Sequence, residues 1–505
     1  MTLLTLNSVY IAPVCVSRSL GEFITLAAAI IFLFSFSYPA SLWKGRLFPN
    51  LKSDVEPPHL EVSKSQSVQG FYRRRFDFLR NGFKQTGSWA FQFNILKHQV
   101  IAVSGEEGRQ MLLREPGLDL YEGAQLVLES VPKGYHQQQI DSFYKRLLGL
   151  QKTENLSFMI PYLLSDCQRK MDTWGSQGLV DPCSAIYDIT FVMIMRVLNS
   201  FDIADDLALV SRLKGWFDIL DSSTEPFSVY FPWIYGPATF RKLWASMNLY
   251  LTFRSIVRER TSGGAAKPDA LQQLIDSNQT EGYTIKFMIA LPLAGGRSTG
   301  TIGKWLIMFL SSDPVWAAAV RQEVEGLLSF YNVSLPQPLS QQDLTRALSQ
   351  IPLTAWEKKM PKLDLCIRET MRIAQPHTAL RKNTGPDFSA GGFTIPSGAF
   401  VAYPFSDTFL NPSYHSDPKR WDPSRLLQKD MPFIGWGLGN HPCKGQRLAM
   451  LTMKLLTASL MLRFDLSMVD GQLENMKGPP VPDYNEQLTC RPKNKCSIKF
   501  ATRVS

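Results

Sequence analysis

The segment WGLGNHPCKG, residues 436–445, places Cys443 directly after a proline in a loop with glycines at 437, 439 and 445; His441 stands two positions before the cysteine. The next stretch, KGQRLAMLTMKLLTASLML (444–462), reads as a long apolar helix. Cys443 therefore sits where a loop enters a helix, near the positive end of the helix dipole, and that setting favours a thiolate. Glycines, here with Gly435 as well, permit unusual turns and close approach of a ligand to backbone. A lone cysteine is most often a small buried hydrophobe, so a metal ligand, a nucleophile and a plain turn all remain open from these residues alone.

The rest of the chain narrows the choice. Its 505 residues are 45% hydrophobic and 19% charged, an ordinary globular balance with ample material for a large core. The net charge of +10 suits nucleic acid, an anionic membrane or an acidic protein. No long Lys/Arg run or nucleic-acid motif is present, and the densest basic stretch, FYRRRFDFLRNGFK (71–84), reads as a solvated helix face with aromatic anchors, or as a surface near lipid headgroups. Seven scattered cysteines without a C-x-x-C pair argue against a disulfide framework and against zinc, and for a reducing compartment.

Residues 23–43 carry no charge and include ITLAAAIIFLFSFSY. At about 1.5 Å per residue they are long enough for a bilayer core of about 30 Å. Lys44 and Arg46 come immediately after, which by the positive-inside rule leaves the remainder cytoplasmic. The expected organisation is an N-terminal segment (1–22), a transmembrane signal anchor (23–43), a linker (44–64) and one catalytic domain (65–505). In that topology the sequons at Asn155, Asn278 and Asn332 escape glycosylation. GSWAFQFNIL (87–96) and QVIAVSG (99–105) predict a hairpin, with a short helix next over 106–114. From about 135 to 330 the pattern is mostly helical, with Asp313 as a helix cap before Pro314. GGFTIPSGAFVAYP (391–404) predicts a second hairpin, and the last 25 residues a terminal strand pair. The fold class is mainly α with small β-sheets (α+β).

The cysteine loop resembles the ligand loop of the cytochrome P-450 superfamily, F-x-x-G-x-[RH]-x-C-x-G, here read as Trp436, Gly439, His441, Cys443 and Gly445. The resemblance implies haem bound through the Cys443 thiolate, with His441 donating to a haem propionate. It extends to RETMR, whose Glu369 and Arg372 match the family's E-x-x-R, and to WDPSRL, whose Arg425 would complete a buried triad that fixes the haem-loop scaffold. Arg381, where a strand begins, resembles a second propionate partner. IKFMIALPLAGGRSTGTIGKWLIMFLSS (285–312) resembles the long helix that crosses the oxygen side of the haem, whose motif is [AG]-G-x-[DE]-T-[TS]. Ala294 and Gly295 match it; Arg297 stands in the acid's place, and Ser298 with Thr299 supplies the hydroxyls. Pro292 should kink this helix. The family's early-helix W-x-x-x-R is absent; Lys145 and Arg146 occupy the region where its arginine would lie.

By resemblance the chain is a haem-thiolate monooxygenase of the microsomal, fungal secondary-metabolism kind, anchored in the endoplasmic reticulum membrane. It would oxidise a lipophilic terpenoid, polyketide or alkaloid with O2 and with electrons from NADPH, delivered by an acidic flavoprotein reductase through its flavins. Arg297 motivates a rival, an isomerase or dehydratase of the same fold that needs no reductase. A non-enzymatic haem-binding membrane protein is a third reading.

Overall fold

The computed structural model describes residues 55–127, 137–220, 222, 236–334, 341–375, 377–427, 433–437, 439, 441–486 and 490–503. The expected membrane segment, 23–43, lies outside the described residues, and among those described no helix is long and apolar enough to cross a membrane. The end of the expected linker runs beside the first strand: Leu60 donates its N–H to Gln92 O, and Gln92 donates back to Pro58 O. A capping box at Ser63 and Gln66 then starts a helix over Lys64–Arg73.

Among the described residues, nine helices position the site: α1 (Gly105–Arg114), α2 (Gln137–Leu150), α3 (Thr153–Asp172), α4 (Pro182–Leu198), α5 (Leu207–Leu220), α6 (Pro237–Thr261), α7 (Glu281–Ser312), α8 (Pro361–Ala374) and α9 (Gln446–Arg463). Helix α7, capped by Thr280 on Tyr283 N–H, is 32 residues long, about 48 Å at 1.5 Å per residue. It remains one helix on both sides of Pro292. Its second half is buried all round from Thr299 to Leu310. Helix α9 is buried almost as completely, so these two apolar helices share the main core with α3, α4 and α8. Asp313 caps the next helix, accepting from Val315 and Trp316 N–H.

A glycine seam lets α7 cross α4 closely. A Cβ at Gly300 would collide with Tyr187, and a Cβ at Gly296 or Gly303 would touch Phe191 or Thr190. At Gly295 a Cβ would meet only open space. Within AGGRSTG, Gly296 and Gly300 thus allow helix packing, while Gly295 keeps an open face clear.

Ten strands form three sheets among the described residues. β1 (Ala90–Ile95), β2 (His98–Val103), β3 (Leu118–Asp119), β5 (Thr378–Asn383) and β8 (Phe400–Pro404) make a five-stranded sheet in the order β1-β2-β8-β5-β3. β4 (Gln177–Val180), β9 (Phe464–Asp470) and β10 (Cys496–Thr502) make a second, ordered β4-β10-β9, and β6 (Phe388–Ala390) with β7 (Phe393–Ile395) the third. The early hairpin forms as expected. The hairpin expected over 391–404 does not. Gly391 and Gly392, with φ of 53° and 83°, turn β6 into β7, the left-handed pair that a tight hairpin needs. β8 is buried along its whole length because it lies between β2 and β5. The terminal strand pair is also replaced: β10 pairs with β9 and β4, while Pro482 and Pro492 form only an isolated bridge. Those partners lie far away in the chain, where local alternation carries no signal.

Candidate active site

The cysteine loop closes on itself before α9 begins. Cys443 donates its N–H to Trp436 O at 2.6 Å, and Gly437 donates to Ile434 O at 2.9 Å. Gly437 and Gly439 have φ of 69° and 62°. A Cβ at Gly437 would strike His441 O, and one at Gly439 would strike Leu113 O of α1, so both positions require glycine for conformation and for space. The backbone N–H groups of Gly445 and Gln446 favour the ionised form of the Cys443 thiol. Although Cys443 keeps accessible area, its thiol is recessed enough that desolvation pushes it above the ordinary thiol range, against the pull of those two donors. Trp436 packs against the main core, and Gly445 leaves open space in front of the helix.

Beside the loop lies a recess lined by Arg109, Leu112, Arg381, Tyr403, Gly437 and His441, among others. Arg381 is 8% exposed; burial pushes its guanidinium down to about 10, with Asp119 opposing. One of its nitrogens donates to Leu380 O. Arg381 Nε and Arg109 Nη1 are buried without a hydrogen-bond partner among the described residues. His441 is held below the usual histidine range by desolvation and then by Arg381; a hydrogen bond to the Leu118 backbone opposes them. Arg109, on α1, also pairs with Glu106. Nothing in the local sequence singles out that helical arginine, so only its place in the fold marks it. Arg146 is directed elsewhere, donating to Tyr283 Oη and Ser277 Oγ.

The triad residues meet in the core. Glu369 is fully buried and receives Arg372 Nε at 2.7 Å, Arg372 Nη2 at 2.8 Å, Arg425 Nε at 3.0 Å and the Asp422 N–H at 3.0 Å. The remaining guanidinium donors gather the incoming strand of loop: Arg372 reaches Phe409 O and Pro418 O, and Arg425 reaches Ser416 O. Just beyond α8, Gln375 donates to Gly435 O, tying the triad helix to the cysteine loop.

On α7, Ala294 and Ser298 lie one turn apart on the exposed side, while Thr299 is 6% exposed and packed within the protein. Ser298 Oγ donates to Ala294 O at 3.3 Å. Arg297 Nη2 lies 3.1 Å from Asp218 Oδ1 on α5, and Asp218 also pairs with Lys214, itself paired with Asp188. The guanidinium in the acid's position thus joins α7 to α5.

These residues fit haem. A recessed sulfur at a helix start, whose ionised form two backbone N–H groups favour, suits an anionic ligand to the haem iron. Two buried guanidinium donors without acceptors suit the propionate carboxylates.

Residues 167–495 match the cytochrome P450 family. The chain is 26% identical over 441 residues to the cytochrome P450 monooxygenase AacuE of Aspergillus aculeatus, covering 83% of this chain and 86% of that one. It is 28% identical over 420 residues to the cytochrome P450 monooxygenase nsrP of Aspergillus novofumigatus, covering 79% of each. Its fold resembles the retinoic acid-bound cyanobacterial CYP120A1, with a TM-score of 0.68 at 21% identity over 89% of this chain and 99% of that one. With a match spanning well over half its length, a loop-to-helix cysteine and the buried Glu-Arg-Arg cluster in the expected chain order, this chain belongs to the cytochrome P450 family.

Proposed function

We propose that the protein is a haem-thiolate monooxygenase in which the Cys443 thiolate would hold the haem iron. The observation that carries this is the Cys443 thiol at the head of α9, where the backbone N–H groups of Gly445 and Gln446 favour its ionised form. When bound, haem supplies dioxygen activation, and a thiolate ligand favours O–O cleavage by pushing electron density toward the iron. The chain's own residues do the rest. Arg381, Arg109 and His441 bind the propionates. Glu369, Arg372 and Arg425 hold the approach to the loop. Gly295 leaves clearance on the open face of α7, and Ser298 is the hydroxyl accessible there to hold a proton; Thr299 is buried.

The isomerase alternative was motivated by Arg297 standing in place of the acid of the proton relay, and the monooxygenase relatives do not favour it. Arg297 itself pairs with Asp218 of α5, a structural task for the residue in the acid's place. Fungal monooxygenases among the relatives support a lipophilic secondary metabolite, a terpenoid, polyketide or alkaloid, as substrate. The net charge of +10 supports an acidic NADPH-dependent flavoprotein reductase as partner. Residues 23–43 would anchor the chain in the endoplasmic reticulum membrane with the catalytic unit cytoplasmic. Carbonate extraction of the full chain, compared with a chain lacking residues 1–44, tests the anchor: release of both from membranes would defeat it. Turnover of the purified enzyme should require reductase, NADPH and O2 together. Product formed without an electron source would overturn the monooxygenase reading.

A further inference from the structure

The first residue after α2, Gln151, is 4% exposed and grips the turn just beyond Cys443. Its Nε2 donates to Lys444 O at 2.8 Å and to Leu147 O at 3.1 Å, while its Oε1 accepts the Leu448 N–H at 3.0 Å. Leu448 is in the first turn of α9, where backbone N–H groups lack helical partners. The Gln151 side chain therefore caps α9 from a helix nearly 300 residues away in sequence, Gln151 and Lys444 being 293 apart.

The carbonyl it holds belongs to the peptide between Lys444 and Gly445. The N–H of that same peptide, two residues beyond Cys443, favours the ionised form of its sulfur. In a trans peptide the C=O and N–H point in opposite directions, so Gln151 holds one edge of that plane and the Gly445 N–H projects from the other. A hydrogen bond to the carbonyl fixes that plane and polarises the amide, which strengthens its N–H as a donor. Arg447 braces the junction separately, donating to Gln151 O and to Glu357.

We propose that Gln151 is a positioning residue for the haem ligand: through the Lys444–Gly445 peptide it aims and strengthens one N–H on the Cys443 sulfur and so sets the reduction potential of the bound haem. The inference rests on Cys443 being the axial ligand. Hydrogen bonds to a metal-bound sulfur draw charge from it and favour the reduced, more negative state; losing one shifts the potential downward.

The experiment measures haem content, the ferrous carbon-monoxide spectrum and the haem midpoint potential of the full-chain haem protein. The variants are Gln151→Leu, Gln151→Glu and Arg447→Ala. Gln151→Glu keeps an acceptor for Leu448 N–H but loses the donor to Lys444 O, so it remains informative if Gln151→Leu does not fold. Both Gln151 variants should show a more negative potential than wild type and a smaller thiolate-type fraction of the carbon-monoxide spectrum. Arg447→Ala should lower stability and leave the potential in place. Gln151 variants that lose stability with an unmoved potential, as in Arg447→Ala, would reduce Gln151 to a brace and overturn the proposal. A wild-type protein without the thiolate-type spectrum would instead refute the ligand assignment, so the two failures are distinguishable.

Discussion

Replacing Glu369 by alanine removes an acceptor shared by four donors: Arg372 Nε and Nη2, Arg425 Nε and the Asp422 N–H. The two guanidinium side chains stay behind in the interior, Arg372 at 1% and Arg425 at 9% exposure. Removing one partner of a buried ion pair costs about 3–5 kcal/mol, because the remaining charge is uncompensated. Set against a typical total stability of about 5–15 kcal/mol, this is a large fraction. Glu369→Gln keeps the shape and one carbonyl oxygen but turns an amide N–H2 toward guanidinium donors, so its loss should be comparable in kind and smaller in size. The damage should reach the haem site, since Gln375 beyond α8 holds Gly435 O and Arg372 and Arg425 gather the loop over 409–420. Urea unfolding gives the stability change at constant slope, and the ratio of haem to protein absorbance gives occupancy. A loss under about 1 kcal/mol for Glu369→Ala, below the range for a broken buried pair, with full haem occupancy would refute the reasoning.

The oxygen-side helix and a buried histidine give further expected outcomes. Arg297→Gln and Asp218→Asn should behave alike, raising KM more than they lower kcat, with the double variant little worse than either; abolished turnover in Arg297→Gln alone would give the arginine a role of its own. Because the pair is partly exposed, its stability contribution should stay under about 1 kcal/mol. Ser298→Ala should cut product formed per NADPH, on the order of tenfold or more given that positioned proton transfer contributes about 10²–10⁴-fold, whereas Thr299→Val should leave it nearly unchanged; the reverse pattern would exchange their roles. His415, 1% exposed, is lowered from 6.5 to about 4 by burial and then by Arg372 and Arg425. It stays neutral in the folded state while the unfolded chain takes up a proton below about 6.5, so acid favours unfolding between pH 6.5 and 4 and nothing is contributed above. His415→Asn should therefore lose less stability than wild type across that window in urea titrations; parallel losses would contradict the buried neutral state.

The parts of the site that sequence made legible share one property: their chemistry is local or comes in fixed chain order. Cys443 with its glycines and apolar helix occupies one short segment. Glu369 and Arg372 stand three apart on one helix, and Arg425 comes later in WDPSRL; the fold joins all three. The hidden parts depend on contacts between distant segments. Gln151 follows an unremarkable helix and meets Lys444 only in three dimensions. Arg109 reads as a helix-surface cation until α1 is packed beside the recess. The destination of Arg297 needed α5, and the glycine seam of α7 needed α4, before either had a meaning. Among the strands, the first hairpin is readable because its partners adjoin. β8 and β10 depart from the expected pairings because their partners come from β2, β5, β4 and β9.

Cys443 as the carrier of the haem iron is the central claim, and the ferrous carbon-monoxide spectrum tests it most directly. Haem-loaded wild type should show the red-shifted Soret band of a thiolate ligand. Cys443→Ala should lose that band while remaining folded, since the side chain it removes is accessible and outside the packed core. A thiolate-type band that persists in Cys443→Ala, with haem bound, would contradict the account.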